Sequence, residues 1–177
     1  MKLIALFFIF TIILNASNFK PEMIQLFKEN KYQKLCKLGF KNFAAIRDDE
    51  QTLTLYAFGC LYADKVDNLA VPIILLKNSK EARANAAYFS TILMQKKLLF
   101  HSLYDNYPLK NINLPTTDYL LSKVFDLYLY SPQQLKKDTY ILKDKKNQKV
   151  TYKLYLFEKK IVIEEYYDTI LIRKHIY

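Results

Sequence analysis

The sequence is short of glycine and histidine: its 177 residues include two glycines, two histidines and no tryptophan. Phosphate-cradling loops and dinucleotide-binding fingerprints need several backbone positions that only glycine occupies, so both motifs are excluded. With His101 and His175 as the only histidines, a zinc site rich in histidine is excluded as well. Sugar-binding clefts often stack their ligand on tryptophan, so its absence disfavours an enzyme that cleaves cell-wall glycans.

The acidic residues offer no catalytic pair either. The run at residues 48–50 is explained by helix capping. Glu164 and Glu165 are neighbours in a predicted strand and therefore point to opposite faces. The serine, histidine and aspartate at residues 101–105 lie too close together on one helix to converge as a triad. We therefore predict a non-enzymatic protein without cofactor, and with no catalytic, cofactor-binding or metal-binding residues.

Long apolar runs are also missing, except at the start, MKLIALFFIFTIILNASN. Lys2 precedes an apolar run at residues 3–14, and the small residues Ala16 and Ser17 follow it. This layout predicts a secretory signal peptide over residues 1–17 that is cleaved near Ala16 or Ser17, and the alternative is a buried N-terminal core segment. The run is too short to cross a membrane, which takes about 20 residues, so we expect no transmembrane segment after cleavage.

Positive charge is what the sequence has in excess, with 27 lysines and arginines against 17 acidic residues and a formal net charge of +10. A basic chain normally indicates a nucleic-acid partner. Predicted export argues against that partner and favours anionic lipids, cell-wall polymers or acidic protein surfaces. The alternative is that the lysines are scattered over solvated faces. Without the signal peptide roughly 160 residues remain, which suits one domain.

Cys36 and Cys60 are the only cysteines, and in an exported chain they predict one disulfide. Both flanking stretches have the apolar spacing of a helical face. Each cysteine is equally far from Asp48 in the loop between them, so two antiparallel helices would place the sulfurs at the same height. Gly39 and Gly59 lie beside the cysteines and would allow close approach of the helices. The alternative is a redox-active thiol, but neither a Cys-x-x-Cys motif nor a nearby histidine supports it.

The apolar periodicity divides the mature chain into two regions. Residues 18–135 read as helical hairpins in the style of TPR or Sel1 repeats, without a fixed repeat length. Residues 136–177 read as four strands with short connections, which require antiparallel neighbours: TYILK, KVTYKLYLF, IVIEEYY and ILIRKHIY. We predict an α+β fold, an irregular array of helical hairpins followed by a C-terminal four-stranded antiparallel β-meander. The meander should pack on the helices as one globular domain.

The final strand of a simple meander lies at the edge of the sheet, where one row of backbone groups is unpaired. Such edges accept a strand from another chain, so we predict a partner-docking edge here. Strand alternation assigns the residues to two faces: Ile170, Ile172 and Ile176 towards the helices, and Leu171, Arg173, His175 and Tyr177 outward. The alternative is an edge covered by the leading helix or a loop.

Several features together resemble a known family. They are the short apolar leader, the Lys/Phe/Tyr/Leu/Ile-rich composition, the two cysteines, the strand tail and the stretch LAVPIILLKNSKEARANAAYFSTILMQKKLLFHSL. The chain resembles a small exported family of epsilon-class, Campylobacter-like bacteria, that of the periplasmic disk or scaffold proteins around the flagellar motor. The resemblance implies a structural role in the periplasm without a cofactor, and it transfers no functional residue.

We therefore predict an exported periplasmic scaffold or adaptor that assembles with other periplasmic proteins and not with nucleic acid. The alternative function is a binding module for an anionic envelope ligand, such as a cell-wall polymer or a lipid head group, that uses lysines and tyrosines of the sheet. Ionic strength separates the two, because salt weakens binding to an anionic ligand far more than it weakens a packed protein interface.

Overall fold

The computed structural model describes residues 19–130, 133–136 and 139–177, so the predicted signal peptide lies outside the described residues. Helices occupy the first part of this range: α1 (Phe19–Lys28), α2 (Tyr32–Lys41), α3 (Phe43–Ile46), α4 (Glu50–Tyr62), a 3₁₀ turn (Val66–Leu69), α5 (Ala70–Leu75), α6 (Lys80–Asp105) and α7 (Leu120–Tyr130). Strands occupy the second: β1 (Gln133–Lys136), β2 (Thr139–Lys143), β3 (Val150–Phe157), β4 (Lys160–Tyr167) and β5 (Ile170–Ile176). The predicted α+β class is confirmed.

The hairpin of α2 and α4 is closed by the predicted disulfide between Cys36 and Cys60, whose Cα atoms lie 4.6 Å apart. The helices approach so closely that a Cβ atom on Gly59 would lie 2.5 Å from the Leu35 side chain. A Cβ atom on Gly39 would likewise collide with the Tyr56 ring. Both glycines are thus required by close packing, as the sequence indicates, and not by an unusual backbone conformation.

Carboxylates at the start of α4 fix the ends of two helices. Asp49 caps α4 by accepting hydrogen bonds from the backbone N–H groups of Gln51 and Thr52. Glu50 reaches across to the start of α6, where its carboxylate accepts backbone N–H bonds from residues 77–79 at 2.6 to 3.0 Å. Because orphan N–H groups at a helix start need acceptors, this contact sets the position of α6 against the cysteine hairpin.

The sheet is an antiparallel meander in the order β1-β2-β3-β4-β5. The four predicted strands correspond to β2 through β5. The sequence does not reveal the additional short strand β1, which pairs with β2 and begins on the helical side of the predicted boundary between residues 135 and 136. Glu158 and Lys159 both have positive φ, 47° and 58°, so a tight two-residue turn of the hairpin type joins β3 to β4.

One hydrophobic core runs through the helices and the sheet. Its buried side chains include Phe89 of α6, Phe125 of α7 and Leu154 of β3. The central helix α6 contacts α4, α5, α7 and β3. The meander is therefore packed on the helices, and its β5 end lies close to the turn that follows α4.

Candidate functional site

The final strand presents a different set of side chains to solvent from the one that the sequence predicts. His175 and Tyr177, predicted to face outward, are 6% and 7% exposed. The isoleucines predicted to be buried are exposed, with Ile170 at 66%, Ile172 at 60% and Ile176 at 42%. The face assignment is therefore wrong for these five residues. Leu171 and Arg173, the other two predicted docking residues, are exposed as expected.

The physical reason is a break in the register between β4 and β5. Arg173 lies opposite Glu165, whereas the next paired residue is Leu171 opposite Tyr166, so Ile172 is an extra residue on β5. An inserted residue reverses the alternation of the residues beyond it, so the residues after the bulge have exchanged faces. Residues 170–174 are all exposed, so neither face of this part of β5 is covered by the described residues. A pattern read from one strand contains no signal for such a bulge.

Buried polar contacts hold the end of β5 against the helices. His175 Nδ1 lies 3.0 Å from both carboxylate oxygens of Asp64, in the turn after α4. The Tyr119 hydroxyl donates to the Leu61 carbonyl at 2.8 Å and to Asp64 at 3.1 Å. Asp64 itself adopts φ 61°, a left-handed conformation that aspartate tolerates better than most residues. We call Asp64, Tyr119 and His175 the C-terminal latch, because they join three distant chain segments.

Tyr177 packs beside the latch, with its ring centroid 6.2 Å from that of Tyr119. Its backbone N–H donates to the Ile161 carbonyl at 2.9 Å, which continues the β4 ladder to the last residue. Burial raises the pKa of both tyrosine hydroxyls, and the nearby Asp64 carboxylate adds to this for each. Both hydroxyls therefore stay protonated at neutral pH, and the latch has no group that is set up as a tyrosinate nucleophile.

A cleft of about 660 Å³ opens beside the latch. It is bounded by the turn after α4, the middle of α6, the start of β4 and the end of β5. Its charged lining consists of six lysines and two aspartates: Lys65, Lys96, Lys97, Lys159, Lys160, Lys174, Asp64 and Asp67. Apolar wall residues include Val66, Phe100 and Ile176. We refer to this feature as the basic cleft.

Asp67 organises one wall of the basic cleft. Its carboxylate contacts Lys96 Nζ at 2.6 Å and Lys97 Nζ at 2.8 Å. Burial lowers the pKa of Lys96, and hydrogen bonding to Asp67 only partly offsets this. Burial also opposes ionisation of Asp67, but the hydrogen bonds from the two lysines outweigh it and keep its pKa below the ordinary value. By contrast, Lys65, Lys159 and Lys160 have no carboxylate within ion-pair distance in the described part of the chain.

On the opposite face of the sheet, Glu164 is nearly buried in a ring of polar side chains. The hydroxyls of Tyr155 and Tyr166 donate to it at 2.7 and 2.9 Å. Lys153 and Lys174 lie 3.6 and 3.5 Å from its oxygens. Burial alone would raise the pKa of this carboxyl, but the two hydroxyls and two ammonium groups hold it below its ordinary value. Through Lys174, this ring touches the rim of the basic cleft.

Sequence reasoning missed the latch and the basic cleft. Asp64 and His175 are separated by 111 positions, and no local pattern pairs residues so far apart. The two adjacent lysine pairs, at residues 96–97 and 159–160, are visible in the sequence as isolated dipeptides. Only their convergence in the tertiary structure gives them a shared role.

Within residues 19–177, the described parts contain no cluster of three or more His, Cys, Asp or Glu side chains that would hold a metal ion. None of the described helices is long and apolar enough to cross a membrane.

The fold and these sites define an α+β protein in which a disulfide-closed helical array carries an antiparallel meander. No family model, no curated protein and no solved structure matches the chain.

Proposed function

We propose that this protein is an exported scaffold or adaptor of the bacterial periplasm that binds an extended segment of another protein along the free edge of β5. The observation that carries the proposal is this edge: among the described strands β5 pairs only with β4, and its exposed side chains are mostly aliphatic. The docking residues are Ile170, Leu171, Ile172 and Arg173. They replace the predicted set, from which His175 and Tyr177 are removed by burial.

Charge selects the kind of partner. Symmetric antiparallel pairing of two β5 strands centred between Arg173 and Lys174 would place these like charges opposite each other, which destabilises a strand pair. The chain as a whole has a formal net charge of +10. We therefore assign the edge to a strand of a different protein that has acidic side chains between its apolar ones.

The edge also has the features that limit non-specific pairing. The extra residue at Ile172 interrupts the regular ladder, and Arg173 and Lys174 place charges beside it. Bulges and basic residues are common means by which edge strands avoid aggregation. A partner must match both the bulge and the charges, which favours one specific assembly over promiscuous strand addition.

One observation and one prediction from the sequence support the periplasmic location in this proposal. Cys36 and Cys60 form a disulfide, which persists in oxidising compartments and is rare in the cytosol. The predicted signal peptide supplies the export route. The particular assembly that we propose, the disk scaffold around a flagellar motor, rests on the resemblance of the sequence alone.

The test is crosslinking in the native envelope followed by mass spectrometry of the captured partners. The docking variant combines Leu171→Ser with Ile172→Ser, and a second variant carries Arg173→Glu. All three side chains are exposed, so the melting temperature should change little. Ile74→Ser on α5 is the matched control, because this isoleucine is also exposed, at 72%, but lies outside the sheet.

We expect both docking variants to lose a partner that the wild type and Ile74→Ser retain. Retention of every partner by both docking variants would refute docking at this edge. A homodimer in sedimentation experiments that disappears in the docking variants would instead refute the assignment to a different, acidic protein. Recovery of the wild-type chain with its apolar leader intact would refute cleavage of the predicted signal.

A further inference from the structure

We infer that the basic cleft is a binding site for a phosphate-bearing ligand, a function separate from protein docking at the β5 edge. The cleft volume, about 660 Å³, falls in the range of roughly 300 to 1,000 Å³ that is typical of small-molecule sites. It combines apolar wall residues with convergent charged groups, as such sites usually do. The residues used in docking, 170–173, do not line it.

The cleft has a surplus of positive charge that no described protein group neutralises. Asp67 is already engaged by Lys96 and Lys97, and Asp64 is engaged by the C-terminal latch. Lys65, Lys159 and Lys160 remain without a carboxylate partner among the described residues. Gathering like charges in a concave site costs free energy, and an anion that enters the site relieves that repulsion.

The arrangement is also preorganised. Lys96 is held by Asp67, and its side chain is only 10% exposed. The tight turn at Glu158 and Lys159 fixes where Lys159 and Lys160 leave the sheet. The latch holds the end of β5, and with it Lys174, against the turn after α4 that carries Lys65. The backbone positions of these lysines are therefore fixed before a ligand enters, and the conformational entropy that the ligand removes is mainly that of the exposed lysine side chains.

Phosphate fits this lining better than carboxylate. A phosphate monoester has about 1.5 to 2 negative charges at pH 7 and three strong acceptor oxygens on one centre, so several ammonium groups can contact it at once. A carboxylate has a single charge on two oxygens in one plane. Phe100 and Ile176 of the apolar wall would contact a non-polar part next to the phosphate. A soluble phosphate or diphosphate ester and a phospholipid head group share this chemistry.

The test compares two double variants with the same change in net charge. The cleft variant is Lys65→Gln with Lys160→Gln, and the control is Lys28→Gln with Lys41→Gln on α1 and α2. All four lysines are exposed, so each variant should keep the wild-type melting temperature. Pyrophosphate binding is measured by calorimetry at low and physiological salt. Vesicles of phosphatidylcholine, with or without phosphatidic acid, test the lipid source by co-sedimentation.

We expect the cleft variant to bind pyrophosphate about tenfold more weakly than the wild type, while the control variant binds with nearly wild-type affinity. If the wild type and the control variant bound phosphatidic acid vesicles and the cleft variant did not, the result would support the site and would identify a phospholipid head group as its ligand. If both variants lost the same affinity for pyrophosphate, the loss would be an effect of net charge alone, and the proposed site would be refuted. Binding of neither probe to the wild type would overturn it as well.

Discussion

His175 Nδ1 lies 3.0 Å from both carboxylate oxygens of Asp64, so the last strand is attached to the turn that follows α4. The two side chains are 8% and 18% exposed. This contact joins residues 111 positions apart, so it holds the end of β5 against the helical region. It also explains why His175 faces inward although the strand was predicted to present it to a partner.

Replacement of His175 by Leu should lower the free energy of unfolding by about 2 kcal/mol, because a nearly buried carboxylate loses its charge-assisted hydrogen bond. Urea denaturation followed by circular dichroism measures the change. His101→Leu is the matched control: this histidine also contacts a carboxylate, Asp105 at 2.7 Å, but on the exposed surface of α6. The control should change stability by no more than about 0.5 kcal/mol. Equal effects of the two substitutions would contradict a special role for the latch.

The disulfide should contribute more than any single contact of the helical region. Cys36 and Cys60 are 24 positions apart. In the loop-entropy model a crosslink of this span stabilises by about 3.5 kcal/mol, so the double variant Cys36→Ala, Cys60→Ala should lose an amount of that order. Chemical denaturation measures it, and reduction of the wild type under native conditions is the independent comparison. If both preparations unfold at the wild-type denaturant concentration, packing around Gly39 and Gly59 constrains the hairpin by itself.

Stability at acidic pH should depend on Glu164. Its pKa in the folded protein lies below the ordinary value of 4.5, because hydrogen bonds from Tyr155 and Tyr166 and the charges of Lys153 and Lys174 outweigh burial. A depressed carboxyl pKa contributes stability above the unfolded-state pKa, and this contribution is lost as the pH falls through the folded-state pKa. Glu164→Gln should therefore be about 1 kcal/mol less stable than the wild type at pH 7.

The same difference should shrink as the pH falls from about 4.5 through the lower pKa of the folded protein, because the carboxyl protonates first in the unfolded chain and then in the folded protein. Urea midpoints from pH 7 down to pH 3 test this, and Tyr155→Phe should show a smaller version of the effect because it removes one donor. A difference between wild type and Glu164→Gln that stays constant over the whole pH range would contradict the shift.

Local patterns in the sequence determined most of the secondary structure and one long-range pairing. Apolar spacing is a local property, so it predicts helices in residues 18–135 and strands after them. The Cys36–Cys60 pairing was predictable because the chain has only two cysteines and both are equally far from Asp48, between the two helical stretches. The strand β1 was not recognised, since its residues Gln133–Lys136 show no apolar alternation.

Tertiary structure alone decided which residues of the final strand are exposed and which charges converge. Alternation predicts two faces, but the extra residue at Ile172 reverses the alternation beyond it, and that insertion depends on the fit between β4 and β5. The exposure of residues 170–174 on both faces depends on which part of the sheet the helices cover. The latch and the basic cleft join the turn after α4 to the end of β5, and the cleft adds the middle of α6 and the start of β4. Contacts between such distant segments follow from the packing of whole elements, so no window of the sequence contains them.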